Sequence, residues 1–570
     1  MKIIKGVFTY LLIMLGIVAI AGVLLFAAMA FLHVPMFGMN VIMHNGLDKE
    51  ATALNEFSEL KWEPGTTRLI EINSNNYDVN IRANAGTLSD SKTATAELFN
   101  GGFGLSTNGI ANPEVTVKYY NSLTAEKHDF ITNKESYTSA VKIVIDINTP
   151  QGLIAYKDSK LNLNLPYSGY KYNFVINSGE GDVKIYPATN PVSSQKEYGN
   201  LEVNSLAITT TKGNVSVSGL KENSGVLKLS SLELKTQTGK FDFSEHKEIE
   251  TSSNVVKIEG VRGDFKFSKY NGKFAIKGEN LVFDADYINT KNGEFLYNCP
   301  NGTIMIDVLN VGDGVAQIVT EYAKVDIMHL IGDTSIQATY GATNIKNTYA
   351  NVVDVTTTHG NITIDNATKD KVTIGYNPAA TTLAEKYPVS VGSGEYNGTI
   401  ALRSRYGDIL VKAYETKGWF TNINGRINVK QNATGDRYET KIETVKGTVV
   451  AENLVGIVNA TNTGSANMTI AFAKLVAKTG SEADNPRSTI TSHGGKLTVK
   501  VPTAASGVTA NYRVTLNIVP GSRVNMYSGS TINNTYTASD NKFESMVDTQ
   551  GDYDFVINTN GGDCDFIDVI

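Results

Sequence analysis

Cysteine, tryptophan and histidine are scarce in this chain of 570 residues, at two, two and seven. Cys299 and Cys564 stand far apart and fit no metal spacing, so neither a disulfide scaffold nor a zinc site is expected. The histidines form no H-E-x-x-H pair, and no C-x-x-C, G-x-S-x-G or P-loop phrase occurs. Proline is limited to 13 residues. An excess of basic charge is also missing: the net charge is −6, which gives nucleic acid no footprint. Long apolar runs are absent but for one.

That run lies at the start. Lys2 and Lys5 precede residues 6–32, "GVFTYLLIMLGIVAIAGVLLFAAMAFL", which carry no charge. As a helix this stretch would be about 40 Å long, against a hydrocarbon core of about 30 Å. The leading lysines predict a cytoplasmic N-terminus and an extracytoplasmic bulk. Ala28-Met29-Ala30 offers a cleavage site, but the apolar run is longer than a signal-peptide core. The reading is a transmembrane signal-anchor over 1–35 and a stalk over 36–65, with a short helix near 48–60.

What the chain has in quantity is glycine (51) and tyrosine (27), with asparagine and threonine crowding the turns. This favours many short strands over long helices. One phrase recurs: an apolar residue, four residues, Gly, a polar residue, then apolar-any-apolar. It starts at Ile176 ("INSGEGDVKI"), Ile208, Leu234, Ile258, Phe267, Ile288, Tyr297, Val355, Leu402, Phe420, Ile442, Ile490 and Ile557. Ile72 has the same frame with Tyr77 in the glycine slot. Gly reaches positive φ freely, so a fixed glycine suggests a fixed left-handed corner, and Asn271, Asn292, Asn301 and Asn424 before it fit that reading. The alternation after it marks a strand with one buried face. Starts nine or eighteen residues apart imply coils of about 18–22 residues.

The fold expected is all-β: an elongated β-solenoid, whose coils cover each other's apolar faces, behind one transmembrane helix. The alternative is an antiparallel hairpin or sandwich array, because Asn-Gly is also a hairpin signal. An N-terminal β region is placed at 66–160, the solenoid at 161–500 and a C-terminal β region at 501–570. "LNLNLPYSG" followed by "SGEGDVKI", "TKGNVSV" and "VRGDFKF" resembles the putative-adhesin family of bacterial β-strand-repeat domains, over residues 160–500. The resemblance implies an exported solenoid-like fold and carries no catalytic motif. The insertion at 365–395 departs from its tight repetition.

Chemistry was sought by residue type. "GEGD" (179–182) and "GDG" (312–314) lack the regular spacing of a calcium array and read as turns. Asp182, Asp264 and Asp408 share one slot; an acidic stripe that binds cations is conceivable, but capping of the residue's own turn is the plainer reading. His359 and His493 read as exposed turn residues. Tyr119-Tyr120 and Trp419-Phe420 could stack on sugars but read as strand packing. No catalytic, cofactor or metal residue is therefore expected.

The function expected is non-enzymatic: a surface adhesin, spacer or envelope-interaction module, held to the membrane through residues 6–32 and meeting a surface protein or glycan. Two alternatives are a polysaccharide lyase or hydrolase on a β-helix, and a polymer formed through uncapped end coils.

Overall fold

Val256 pairs with Phe274, Phe274 with Phe295 and Phe295 with Ala316, all in parallel. The chain thus returns to the same place, one strand further on, after 18 or 21 residues. A second ladder alternates with the first: Phe265, Phe283, Ile304, Val325, Thr343 and Ile362 pair in turn. Two parallel strands and two corners per coil make a β-solenoid. Among the described residues antiparallel pairing occurs in hairpins, in strands that flank the end coils and in a separate three-stranded sheet of 40–44, 102–106 and 152–155.

The computed structural model describes residues 14–21, 40–44, 52–54, 62–84, 94–99, 102–106, 114–125, 129–148, 152–155, 159–188, 199–252, 256–432, 438–476, 487–502, 512–538, 543–545 and 553–569. They fall into two units, 1–246 and 247–570. Residues 14–21 are helical, and the rest of the expected membrane span lies outside the described residues. Among the described residues no helix is long and apolar enough to cross a membrane. The expected stalk contributes strands. Asn40–His44 pairs with residues 102–106, and Thr52–Ala53, within the expected helix, pairs with Glu97 and Leu98.

Alternation builds the core. In Thr67–Ser74 every second residue, from Arg68 to Ser74, is buried. In the second unit Phe267, Phe274, Phe283 and Phe295 pile up with neighbouring rings 5.4–6.2 Å apart. Each buried ring contributes about 1.5–3 kcal/mol. Cys299 and Cys564 are buried and free.

The corners correct the expectation about glycine. The phrases starting at Phe267 and Ile288 lie on the return corner of the coil, and the others on the opposite one. There Gly213, Gly360, Gly407, Gly425 and Gly447 do not have positive φ. A Cβ on any of them would instead lie 1.7–2.2 Å from the carbonyl oxygen of the glycine one coil earlier. At these five positions crowding between stacked corners, not left-handed backbone, selects glycine, whereas Gly272 and Gly302 do have positive φ. Of the four asparagines before the glycine, Asn292 alone has positive φ.

A second corner device was overlooked in the sequence. Two places after the leading apolar residue comes Ser, Thr or Asn, and its side chain is buried. The hydroxyls of Ser74, Ser178, Thr357, Thr444 and Ser492 donate to the carbonyl three residues on, at 2.6–3.2 Å. Without such a partner a buried carbonyl would cost about 1–3 kcal/mol.

At the ends, spatial order departs from chain order. In the first unit, Lys142–Asn148 and Lys160–Leu165 form a coil outside Thr67–Ser74 and Asp78–Ala83. Its free edges are covered by antiparallel Glu114–Tyr120 and Thr95–Phe99. In the second unit, Tyr553–Thr559 and Cys564–Val569 lie between the coil of 487–502 and that of 512–528. That outermost coil is flanked by antiparallel Phe543–Ser545 and Thr531–Thr537. These antiparallel strands cover edges of the end coils that bare coils would leave open.

Candidate functional site

At several corners the polar residue of this slot reaches across coils, not around its own turn. Asp182 Oδ1 accepts the N–H of Asn214 at 2.8 Å, and Asp408 Oδ1 accepts that of Arg426 at 2.8 Å. Asp78 and Asn361 do the same for Asp182 and Asp408. Asp264 instead sits within a strand, opposite Val282. Asp182 and Asp408 are therefore stitches between turns. Among the described residues no three His, Cys, Asp or Glu side chains cluster as metal ligands would.

The other flagged residues disperse. Glu180 of "GEGD" pairs with Lys212, and the Asp313 N–H of "GDG" donates to Asn292. Tyr119 and Tyr120 are buried, Tyr119 stacked on Tyr137 at 4.1 Å, and Phe420 is core. Trp419 is 37% exposed beneath the ammonium of Lys441, 4.9 Å from its ring. His493 meets Asn560 at 3.0 Å. His359 is exposed, but it stacks between Tyr340 and Tyr406 at 4.7 Å on either side, and Tyr322 extends the pile by 4.8 Å. The signal was present: each ring stands three residues before a second-ladder residue, Tyr322 before Val325, Tyr340 before Thr343, His359 before Ile362 and Tyr406 before Ile409.

One group of titratable side chains is not revealed by the sequence. The insertion between Ile362–Thr368 and Thr399–Ser404 folds onto the outer face of the second ladder. It contains the hairpin of Asp370–Ile374 and Val389–Glu395 and the short helix Leu383–Lys386. Tyr287, Val308, Ile331 and Tyr349 of the coils enclose Ile374 and Tyr387 of the insertion. Polar contacts surround this core: Tyr376 donates to Asp286 at 2.9 Å and Tyr387 to Asp307 at 2.5 Å. Lys386 Nζ lies 3.0 Å from Asp286 and 3.9 Å from Asp307. Burial first, then the neighbouring carboxylates, pushes both phenols well above their ordinary range. Burial also raises the Asp284 carboxyl, against the opposing pull of Lys266.

Beside the insertion runs an open groove of about 380 Å³, lined by Met305, Met328, Asp326, Lys346 and Asp365 among others. Its acids are paired, Asp326 with Lys324 at 2.6 Å and Asp365 with Lys412 at 2.7 Å. Asp307, which also lines the groove, and Asp286 are likewise taken up in docking the insertion. What this arrangement does chemically is fix an appended module to the solenoid wall.

His329 sits beneath that module, near Tyr349 and Tyr387. Burial, with Lys346 adding to it, pushes its pKa down to about 4. Between the unperturbed value near 6.5 and about 4, the unfolded chain binds a proton here that the folded chain refuses. Stability therefore falls as pH drops through that window. Thermal melts at pH 7 and 4.5 are expected to show a smaller acid-induced drop for His329→Gln than for the native chain; equal drops would refute the assignment.

Residues 67–310 match the family described as Toastrack DUF4097, a β-solenoid-like fold. The family resemblance, read from the strand phrases over 160–500, is borne out where the two overlap, over 160–310, and the coils beyond residue 310 continue the pattern. A solved structure described as a "putative cell adhesion protein" from Clostridium sporogenes aligns with 42% of this chain and 99% of its own. The identity is 12% and the TM-score 0.23. No curated protein matches the sequence.

Proposed function

We propose that the protein is a non-enzymatic, extracytoplasmic β-repeat protein that acts as an adhesin, spacer or envelope-interaction module. Residues 6–32 anchor it in the membrane with the N-terminus in the cytoplasm. The observation that carries the non-enzymatic reading is the use of its polar groups. The repeated aspartates bond the next coil, and the carboxylate pair Asp286 and Asp307 holds Tyr376, Tyr387 and Lys386. A hydrolase would need one such carboxyl free to protonate a leaving group. The anchor is supported by the uncharged run itself and the lysines ahead of it.

The test uses full-length protein carrying a C-terminal epitope. On intact protoplasts, added protease is expected to remove the epitope while a cytosolic marker survives; protection until lysis would refute the topology. The purified chain is expected to release no sugar from mixed envelope polysaccharides. Cleavage abolished by a single carboxylate substitution would replace this reading with the lyase or hydrolase.

A further inference from the structure

The exposed pile of rings begins with two phenols lying flat on each other. Tyr322 and Tyr340 have centroids 4.8 Å apart and ring planes 5° from parallel. Both are open to solvent, at 54% and 46%. The backbone keeps them facing. The Tyr340 N–H donates to the Glu321 carbonyl at 2.6 Å, and a Cβ on Gly341 would stand 1.9 Å from the Ala323 carbonyl oxygen. The two corners are therefore clamped, and the rings meet without search, as reactants do once their orientation is fixed. Stacking by itself does not ask for phenols, since His359 fills the same place one coil on.

We infer that Tyr322 and Tyr340 are a site of oxidative coupling, joined ring to ring into a covalent staple between successive coils by a one-electron oxidant of the peroxidase class supplied with hydrogen peroxide. Each phenol gives up one electron and one proton, and these together reduce one peroxide to two waters. The two radicals join at ring carbons next to the phenol oxygens. The hydrogens on those carbons then move to the oxygens and restore both phenols. The product carries one new carbon–carbon bond and two hydrogens fewer. A proton acceptor is at hand for the first step. The Glu321 carboxylate, acting on Tyr322 from the neighbouring position, holds that phenol above its ordinary range. A carboxylate so placed can take the proton as the electron leaves.

Two other places show what the site requires. Tyr406 is 42% exposed, but it stacks on His359, and among the described residues no second phenol faces it. Tyr119 and Tyr137 stack more closely, at 4.1 Å, but Tyr119 is buried away from a bulky oxidant. Only at 322 and 340 do exposure and a facing phenol coincide among the described residues. The reaction needs neither the membrane anchor nor a binding partner, so it stands apart from the function proposed above.

The experiment treats dilute full-length protein with horseradish-type peroxidase and hydrogen peroxide, then reads dityrosine fluorescence and maps the joined peptides by mass. The expected product is a single chain, still monomeric on a denaturing gel, in which the peptides holding Tyr322 and Tyr340 are linked with the loss of two hydrogens. Tyr322→Phe and Tyr340→Phe keep the ring stack and are expected to melt like the native chain while lowering the fluorescence about tenfold, because only the facing pair reacts within one chain. Tyr406→Phe is expected to leave it unchanged. Fluorescence that persists in Tyr322→Phe, a bond mapped to Tyr119 and Tyr137 instead, or coupling found only between chains would each overturn the inference.

Discussion

Replacing Gly447 by alanine is expected to destabilise the second unit by about 3 kcal/mol or more. The new Cβ would lie 1.7 Å from the Gly425 carbonyl oxygen, a distance no side-chain rotation can relieve. The corner cannot simply shift, because Gly447 bonds Thr444 through both its N–H and its carbonyl, each at 3.1 Å. Nor can Gly425 yield, since its own hydrogen faces the Gly407 carbonyl, where a Cβ would stand 2.2 Å away. Lys446→Ala, one residue earlier and exposed, is expected to change stability by less than about 0.5 kcal/mol. Urea unfolding of the two variants decides the matter. Coincident midpoints would mean that the stacked corners are not the constraint described.

Tyr387→Ala is expected to have a comparably large effect of a different kind. The ring is 2% exposed in the cluster between insertion and coils, and loss of a buried aromatic costs about 3–5 kcal/mol. Because the ladders pair beneath the insertion, that loss is expected to release residues 375–398 locally and leave the coils folded. Limited proteolysis followed by mass mapping is the measurement: rapid cleavage within 375–398, with the ladder fragments surviving. Global loss of resistance would show that the insertion supports the coils after all. Tyr387→Phe keeps the ring and removes the bond to Asp307, for a smaller effect of about 1–2 kcal/mol.

The coils were legible because period-two alternation and a fixed glycine offset are local signals. Ile288 and Tyr297, nine residues apart, turned out to lead into the two corners of a single coil. The reason for the glycine was not legible. Whether Gly425 is chosen for its φ or for its neighbour depends on a carbonyl eighteen residues away, which no local pattern records. The buried hydroxyls at Ser178 and Thr357 stood at a constant offset and were missed, because Ser and Thr before Gly read equally well as ordinary turn residues. The insertion was visible only as a break in repetition. Its docking joins Tyr387 to Asp307, eighty residues apart, through contacts that leave no period. Asp182 and Asp408 cap turns as the sequence suggests, but those of the adjoining coil.

The out-of-order coils bear on how such a chain can assemble. A repeat stack normally grows like a zipper, each newly emerged segment docking on the one before. Residues 512–528 cannot follow that rule. Their resting place is against residues 553–569, which emerge later and must first dock on 487–502. If 512–528 settled early on the vacant flank of 487–502, they would occupy the berth of their successor and would have to leave before the native order could form. The final step is thus the docking of 512–528 on the outer flank of 553–569, and its rate is expected to be set by how long an earlier-made segment waits unseated.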